Sequence, residues 1–268
     1  MKGKVMIVTG ASSGIGRALA LEGLMRGMRV CMAARNLERL NETAALSAAS
    51  PENYLVVQAD VTRKDDCRKL VEATVDKFGG IDVLINNAGV SMRAIFEEVE
   101  LEVLEQLMQV NFWGAVYCTH FALPYLLRSQ GSVAGISSIA GHKGLPARTG
   151  YSASKFALHG FLETLRIENL KKGLHVLIVS PGFTTSNIRK TALSKDGSPQ
   201  GESPRAEDKM MSAERTAWHV LNAIEKRRRT LVLTRQGKLT VWLNKFFPAL
   251  VDKLVYKHMA KEPDSPFK

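Results

Sequence analysis

The sequence predicts a single α/β domain in which a parallel sheet of about seven strands is covered by helices on both faces. Between residue 4 and about residue 180, short runs rich in β-branched residues alternate with longer stretches of helical periodicity, which is typical of repeated βαβ units. Several of these runs are apolar throughout, as strands covered on both faces must be. These two observations predict a doubly wound, Rossmann-type arrangement.

The predicted elements alternate along the chain. Strands are expected at residues 5–8, 29–33, 54–58, 83–85, 132–136, 175–179 and 231–234. Helices are expected at residues 14–27, 37–49, 64–78, 101–127, 151–172 and 213–226. We interpret residues 1–235 as one domain of this Rossmann type. The polar stretch 184–212 is long for a loop inside a domain, and we predict that it shapes the substrate site.

Residues 236–268 are predicted to form a basic, amphipathic C-terminal helical extension. Apolar residues recur there at helical spacing: Trp242, Leu243, Phe246, Phe247, Leu250 and Leu254. Pro248 permits two short helices, the second of which begins at Pro248 itself. Such a face can pack on its own domain, on another subunit of a homo-dimer or tetramer, or on a membrane interface. We expect it to close an apolar substrate pocket, with weak peripheral membrane contact as a secondary property.

Composition and charge narrow the class of protein. The chain has 268 residues, of which 45% are hydrophobic and 24% charged, as in ordinary globular domains. Its three cysteines are scattered without metal-ligand spacing, and no apolar run reaches the ~20 residues that cross a bilayer. The N-terminus lacks the apolar core of a signal peptide. We therefore expect a cytoplasmic protein with neither disulfides nor a bound metal.

A glycine-rich turn is predicted where the first strand meets the first helix. Glycines at positions 10, 14 and 16 allow a tight turn and the close approach of a pyrophosphate to the helix N-terminus. The placement at a strand–helix junction favours a dinucleotide over a purely conformational turn. The expected contacts are Gly10, Ser12, Ser13, Gly14, Ile15 and Gly16.

The end of the second strand favours NADP(H) over NAD(H). Sites for NAD usually place an acidic residue there, but this chain has Arg35 and Asn36. An arginine can pair with the 2′-phosphate of NADP, which a carboxylate would repel. We expect Ser12 to reach the same phosphate, and Asp60 and Val61 to hold the adenine ring.

Tyr151 and Lys155 stand four residues apart at the start of a predicted helix, so their side chains share one face. An ammonium beside a phenol favours the phenolate and brings the pKa of the tyrosine towards its working range. Ser138 follows the predicted fifth strand, at the sheet edge where ligands bind in open α/β folds. This combination predicts acid–base chemistry on a substrate oxygen.

Taken together, the motifs resemble the short-chain dehydrogenase/reductase family over residues 4–182. The matching positions, in order, are Thr9 with Gly10, Gly14 and Gly16, then Asn86-Asn87-Ala88-Gly89, Asn111, Ser138, Tyr151, Lys155 and Pro181-Gly182. The resemblance implies that Tyr151 is the general acid–base, that Ser138 positions the substrate oxygen and that Lys155 binds the nicotinamide ribose and tunes Tyr151. It also implies that Asn111 holds a relay water.

The same resemblance implies further cofactor contacts. Asn87, Ala88 and Gly89 would lie beside the cofactor, whereas Asn86 would be structural. Pro181, Gly182 and Thr184 would border the nicotinamide. Two departures stand out: Ser186 replaces a threonine common in the family, and no Asp-Gly-Gly follows the last strand. Because the chain continues after the last predicted strand with Trp242, Phe246, Phe247 and a basic helix, it is similar to family members that act on lipophilic substrates. Such substrates include hydroxysteroids, retinoids and long acyl chains.

Other functions remain open at this level. A reductase of small carbonyl or 3-oxoacyl compounds fits the same motifs. A sugar epimerase or dehydratase would need a longer C-terminal domain, and an NADP-binding sensor would not need the acid–base group. The basic run at residues 226–229 lacks interleaved aromatic residues, so nucleic-acid binding is not favoured.

Overall fold

Seven parallel strands form one sheet in the computed structural model, which describes residues 1–202, 210–263 and 265–267. Their spatial order is β3-β2-β1-β4-β5-β6-β7. The strands are β1 (Val5–Thr9), β2 (Arg29–Ala34), β3 (Tyr54–Gln58), β4 (Val83–Asn86), β5 (Ser132–Ile136), β6 (His175–Ser180) and β7 (Thr230–Val232). The predicted doubly wound α/β fold is confirmed. The predicted substrate loop includes residues 203–209, which lie outside the described residues.

Helices cover both faces of this sheet. They are α1 (Gly14–Met25), α2 (Leu37–Ala45), α3 (Lys64–Phe78), α4 (Leu101–Met108), α5 (Gly114–Arg128), α6 (Thr149–Glu168), α7 (Ala213–Glu225), α8 (Arg235–Phe246) and α9 (Pro248–Met259). The predicted helix at residues 101–127 is in fact two helices joined by a π-helical turn, Gln109–Trp113. Apolar periodicity does not reveal a single widened turn, and such turns recur at functional sites.

Other helix ends also differ from prediction. The helices expected to reach residues 27 and 49 end at Met25 and Ala45. The helix expected at residues 151–172 begins earlier, at Thr149, and ends at Glu168. A short 3₁₀ turn and then Gly173, with a φ of 75°, follow it because the chain must reverse into β6. These shifts are at helix ends, where fraying makes boundaries hard to predict.

The core consists of two layers, one on each face of the sheet. Alternate residues of β1 point to opposite faces, so that Ile7 packs with α3, α5 and α6 and Val8 packs with α1 and α7. Both side chains are fully buried. Because apolar residues fill both faces, the strands are held rigidly and their carboxyl ends present a fixed edge.

That edge contains the point where the strand order reverses. The chain passes from β1 outward to β2 and β3, and then returns to β4 on the other side of β1. The hydroxyl of Thr9, at the end of β1, accepts hydrogen bonds from the backbone N–H groups of Asn87 and Ala88, each at 3.0 Å. The segments that follow β1 and β4 therefore flank one crevice, which is where open α/β sheets bind ligands.

The C-terminal extension forms two helices that meet at Pro248, as predicted. It packs on the domain through Gly237, Val251 and Met259, and Asn244 donates to the carbonyl of His142 at 3.0 Å. The apolar stripe expected to pack is largely not buried: Trp242, Phe246, Phe247, Leu250 and Leu254 are between 48% and 62% exposed. No helix among the described residues is long and apolar enough to span a bilayer.

Candidate active site

A cradle for a dinucleotide lies at the turn between β1 and α1. Gly10 and Gly14 have φ angles of 68° and 53°, which side chains rarely adopt. A Cβ atom on Gly16 would lie only 2.2 Å from the carbonyl oxygen of Gly10. The turn can therefore close on itself only with glycine at these positions, and it leaves the N-terminus of α1 open to an anion.

The segment after β4 forms the second wall of the cradle. The side-chain amide of Asn87 donates to the carbonyl of Thr9 at 2.8 Å, which ties this segment to the glycine-rich turn. A Cβ on Gly89 would lie 3.0 Å from Oδ1 of Asn111 and 3.5 Å from Nζ of Lys155, so glycine at this position leaves space between the wall and these two side chains. Asn86 is buried and donates to the hydroxyl of Thr119, which agrees with a structural role.

The rim beyond β2 is positively charged. Arg35 is exposed and lines the cavity, and so does Arg39, one turn into α2. The side chain of Asn36 caps α2 by accepting a hydrogen bond from the N–H of Arg39 at 2.8 Å. Sequence reasoning missed Arg39, which lies on α2, five residues after the end of β2.

Asp60 and Val61 line the cavity beyond β3. Oδ1 of Asp60 accepts hydrogen bonds from the N–H and the hydroxyl of Thr62, at 2.9 and 2.8 Å. These bonds fix the direction of the carboxylate. A Cβ on Gly114 would lie 2.7 Å from the side chain of Val61, so α5 packs directly behind this wall.

Tyr151 lies in the first turn of α6, and Ser138 lines the same cavity close enough to influence the pKa of the Tyr151 hydroxyl. Ser138 follows β5, and its Oγ also accepts from the N–H of Ala140 at 3.1 Å. Tyr151 packs against the small apolar cluster that contains Met92, Leu107 and Leu193. A phenol and a hydroxyl thus lie half-buried in one part of the cavity, where both can contact one substrate oxygen.

Lys155 is buried beneath this corner. Its Nζ donates to the carbonyl of Ile136 at 2.9 Å and lies 5.6 Å from the centre of the Tyr151 ring. Burial lowers the pKa of Lys155 from 10.5 to about 8, because the charged form loses its hydration.

Lys155 was expected to lower the pKa of Tyr151, but the structure shows other influences on that pKa. Burial raises the pKa of Tyr151 above its ordinary value, and the opposing influences are the hydrogen bond from Ser138 and the positive charge of Arg148. The desolvation of the buried phenol outweighs both. Arg148, immediately before α6, was not singled out in the sequence.

Asn111 sits in the π-helical turn behind Gly89 and is only 2% exposed. Its side chain accepts from the N–H of Val90 and donates to the carbonyl of Val90, each at 2.9 Å. Its Nδ2 also donates to the hydroxyl of Ser154 at 2.9 Å. Asn111 therefore joins the β4 segment to α6, in addition to any contact with the expected relay water.

One cavity of about 490 Å³ brings the predicted residues together. It is lined by all the predicted catalytic and cofactor-binding residues except Asn111. Pro181, Gly182 and Thr184 form its wall beyond β6, and Ser186 lies against Gly14 at the mouth of the cradle. Among the described residues, no cluster of side chains could hold a metal ion.

The substrate end of this cavity contains residues that sequence reasoning did not identify. They are Leu145, Arg148, Phe183, Arg189, Leu193, Met259 and Glu262. They come from three separate parts of the chain, and no local motif connects them. Met259 and Glu262 belong to the C-terminal extension, so that extension reaches the chamber that contains Tyr151.

Comparison with known proteins agrees with this geometry. Residues 4–197 match the model of a protein family described as short chain dehydrogenase. A protein named 11-beta-hydroxysteroid dehydrogenase 1A, from Arabidopsis thaliana, is 44% identical over 189 residues, which cover 69% of this chain and 54% of that protein. The chain thus matches only about half the length of this relative.

Two further relatives cover more of the chain. A protein named dehydrogenase/reductase SDR family protein 7-like, from Dictyostelium discoideum, is 34% identical over 96% of this chain and 82% of its own length. Among solved structures, a short-chain dehydrogenase/reductase of unknown function from Caenorhabditis elegans, determined with cofactor, is 26% identical. The two folds superpose with a TM-score of 0.79 over 89% of this chain and 96% of the other.

Proposed function

The chain belongs to the short-chain dehydrogenase/reductase family, and on that premise we propose that it is an NADP(H)-dependent oxidoreductase of lipophilic carbonyl or alcohol substrates. The observation that carries the proposal is the single cavity in which Tyr151, Ser138 and Lys155 face the glycine-rich cradle. We assign binding and catalysis to residues 1–235 and substrate contacts to the loop at residues 184–212.

The proposed chemistry is a proton transfer at the Tyr151 hydroxyl. The nicotinamide, when bound, supplies or accepts the hydride. In reduction, Tyr151 gives its proton to the substrate oxygen, while the hydroxyl of Ser138 holds that oxygen in place. Because burial raises the pKa of Tyr151, the proton stays on the phenol at neutral pH, which suits a general acid.

Support for NADP(H) comes from the rim of the cradle. No acidic residue stands at the end of β2, and Arg35 and Arg39 both line the cavity there. A guanidinium can bind a phosphate through two parallel hydrogen bonds. The hydroxyl of Ser12 lines the same end and can add a further donor.

Support for a lipophilic substrate comes from the opposite end of the cavity. Apolar side chains of Leu145, Leu193 and Met259 line it, together with the ring of Phe183. Relatives named 11-beta-hydroxysteroid dehydrogenase match 69% of the chain, which favours a ring-containing alcohol or ketone. A reductase of small carbonyl or 3-oxoacyl compounds is the alternative.

A substrate panel tests this proposal. Wild-type protein would be assayed with hydroxysteroids, retinoids, 3-oxoacyl thioesters and small ketones, each with NADP(H) and with NAD(H). We expect turnover with NADP(H), and higher kcat/KM for lipophilic than for small substrates. A preference for NAD(H) would contradict the proposed cofactor, and a preference for small ketones would contradict the proposed substrate class. Tight NADPH binding without any turnover would favour a cofactor-binding sensor.

The exposed face of the C-terminal helices supports weak contact with an anionic membrane. Trp242 and Phe246 pack against each other with ring centres 5.5 Å apart, and both remain more than half exposed. Lys238, Lys245, Lys253 and Lys257 supply basic charge in the same two helices. Aromatic residues with neighbouring lysines are typical of helices that lie in a membrane interface.

Co-sedimentation with vesicles tests the membrane contact. We expect the protein to bind vesicles rich in phosphatidylserine and to lose that binding in a Trp242→Ser, Phe246→Ser double variant. Trp218→Ser is the control, because Trp218 is 50% exposed but lies on α7. If the double variant instead breaks a dimer or tetramer in gel filtration without changing vesicle binding, the face is a subunit interface.

A further inference from the structure

A buried ion cluster closes the substrate end of the cavity. The carboxylate of Glu262 lies 3.1 Å from Nη2 of Arg148 and 3.8 Å from Nε of Arg93. Glu262 is only 5% exposed, and the side chains of Arg93 and Arg148 are 11% and 12% exposed. Arg93 also donates to the carbonyl of Pro263. Two guanidinium groups thus hold the turn that follows α9.

The three residues belong to distant parts of the chain. Arg93 lies beyond β4, and its N–H donates to the carbonyl of Leu193 in the proposed substrate loop at 2.8 Å. Arg148 stands three residues before Tyr151, where the chain enters α6. Glu262 follows α9. One carboxylate therefore connects the β4 segment, the start of the catalytic helix and the C-terminal turn.

The cluster also acts on the catalytic corner. Arg148 and Glu262 both line the cavity. The positive charge of Arg148 is one of the influences that lower the pKa of Tyr151. A buried cation keeps a defined position only when a partner compensates its charge. Met259, three residues before Glu262, is buried and lines the same cavity. The same carboxylate thus contributes to the position of the wall and to the position of Arg148.

We propose that Glu262 is a positioning residue of the active site, which holds Arg148 beside Tyr151 and fixes the C-terminal turn as a wall of the substrate cavity. This inference rests on the proposed function, since it takes Tyr151 as the proton-transferring group. It adds that the size of substrate accepted depends on residues that follow α9, beyond residues 4–197 that the family model matches.

Two substitutions at position 262 test the role. Glu262→Gln keeps the shape of the side chain but removes its charge, and Glu262→Asp keeps the charge. Glu72→Gln is the matched control, because Glu72 pairs with Arg68 at 3.8 Å on the exposed surface of α3. Each variant would be assayed with NADPH and with the largest and the smallest substrate that the wild type turns over. Circular dichroism would report whether each is folded.

We expect Glu262→Gln to raise KM for the large substrate by roughly tenfold or more, with little change for the small one. Its kcat should fall several-fold for both substrates because Arg148 loses its anchor beside Tyr151. Glu262→Asp should recover most of both losses, and the Kd for NADPH should stay within about twofold throughout. A role in stability alone would lower the melting temperature and leave kcat and KM of the folded protein unchanged.

A folded Glu262→Gln variant with wild-type kcat and KM would overturn the inference. If that variant fails to fold, Arg93→Ala decides, because it keeps the pair between Glu262 and Arg148 and removes one anchor of the turn. Raised KM for the large substrate alone would support the inference, and unchanged KM would overturn it. An inactive wild type would instead mean that the proposed function itself is wrong.

Discussion

The two ends of the cavity are built from different kinds of interaction. At the cofactor end, the contacts involve the backbone: the side chains of Thr9 and Asn87 each bond to a main-chain group of the other loop, and Gly16 allows a backbone approach that no other residue permits. At the substrate end, side chains from distant segments meet, as in the pair of Glu262 with Arg148. The first end depends on local conformation and the second on tertiary contacts.

This difference decides what a substitution does at each end. A side chain at position 16 would collide with the backbone itself, and no change elsewhere in the chain would relieve that collision. At the substrate end, an ion pair can be replaced by another pair or by apolar packing of similar volume. The cofactor end is therefore expected to be intolerant of change, whereas the substrate end can be altered to accept other substrates.

The largest expected effect concerns Tyr151, which lies where the two ends meet. Tyr151→Phe removes the phenol hydroxyl, which lies in the same cavity as Ser138, and leaves the ring in its apolar cluster. Turnover should fall by ~10²–10⁴, the usual worth of a positioned acid–base group. The affinity for NADPH should be unchanged, because the cradle is built by other residues. Steady-state kinetics and fluorescence titration of NADPH measure the two quantities.

Tyr117→Phe is a suitable control, because Tyr117 lies on α5 and does not line the cavity. Turnover near the wild-type value in Tyr151→Phe would rule out the proposed mechanism. A parallel loss of NADPH binding would show that Tyr151 supports the cofactor end rather than the chemistry.

The same contrast explains what could be predicted from the sequence. The fold followed from alternating apolar runs, and the cradle from glycines whose spacing reflects local backbone geometry. Arg39 lies on α2, beyond the strand end from which the cofactor contacts were predicted, whereas Arg148 and Glu262 have no local signal. Their importance depends on a contact between positions 148 and 262, which only the tertiary structure provides.

Electrostatic tuning was also beyond sequence reasoning. The spacing of Tyr151 and Lys155 correctly placed both residues on α6, within one cavity. It could not show that Nζ of Lys155 donates to the carbonyl of Ile136 or that burial dominates the pKa of Tyr151. Both facts depend on how deeply α6 is buried in the domain, and the spacing of two residues in the sequence carries no information on that depth.

A smaller effect is expected at the outer rim of the cofactor end. A charge-assisted hydrogen bond to phosphate contributes ~1.5–3 kcal/mol, which corresponds to roughly 10- to 150-fold in affinity. Arg35→Ala should weaken NADPH binding by about that factor and leave NADH binding nearly unchanged. Arg39→Ala is the matched variant, because it removes the same charge from the same rim. Fluorescence titration gives, for each of the two variants, the change in affinity for NADPH and for NADH relative to the wild type.

Equal losses for NADPH and NADH in Arg35→Ala would mean that Arg35 does not contact the 2′-phosphate. A selective loss in Arg39→Ala alone would move that contact to α2. Either result would sharpen the contrast between the ends, since the contact proposed at this rim is made by an exposed side chain and not by the backbone.

The smallest expected effect is on stability and comes from Lys155, whose charge is buried between the two ends. Its pKa is about 8 in the folded protein against 10.5 for an ordinary lysine, so below pH 8 the folded state bears the full cost of this charge. Between about pH 8 and 10.5 the unfolded chain binds more protons than the folded one, so the stability of the wild type rises with pH in that window. The whole change is about 3 kcal/mol at most.

Lys155→Met should therefore be more stable than the wild type at pH 7, by about 2 kcal/mol once the lost hydrogen bond to Ile136 is allowed for. This advantage should shrink between pH 8 and pH 10, while turnover is lost at every pH. Urea denaturation of the cofactor-free proteins measures it, with Lys195→Met as the control because Lys195 is 62% exposed. If the difference in stability between Lys155→Met and the wild type does not change with pH, burial does not disfavour the charged form of Lys155.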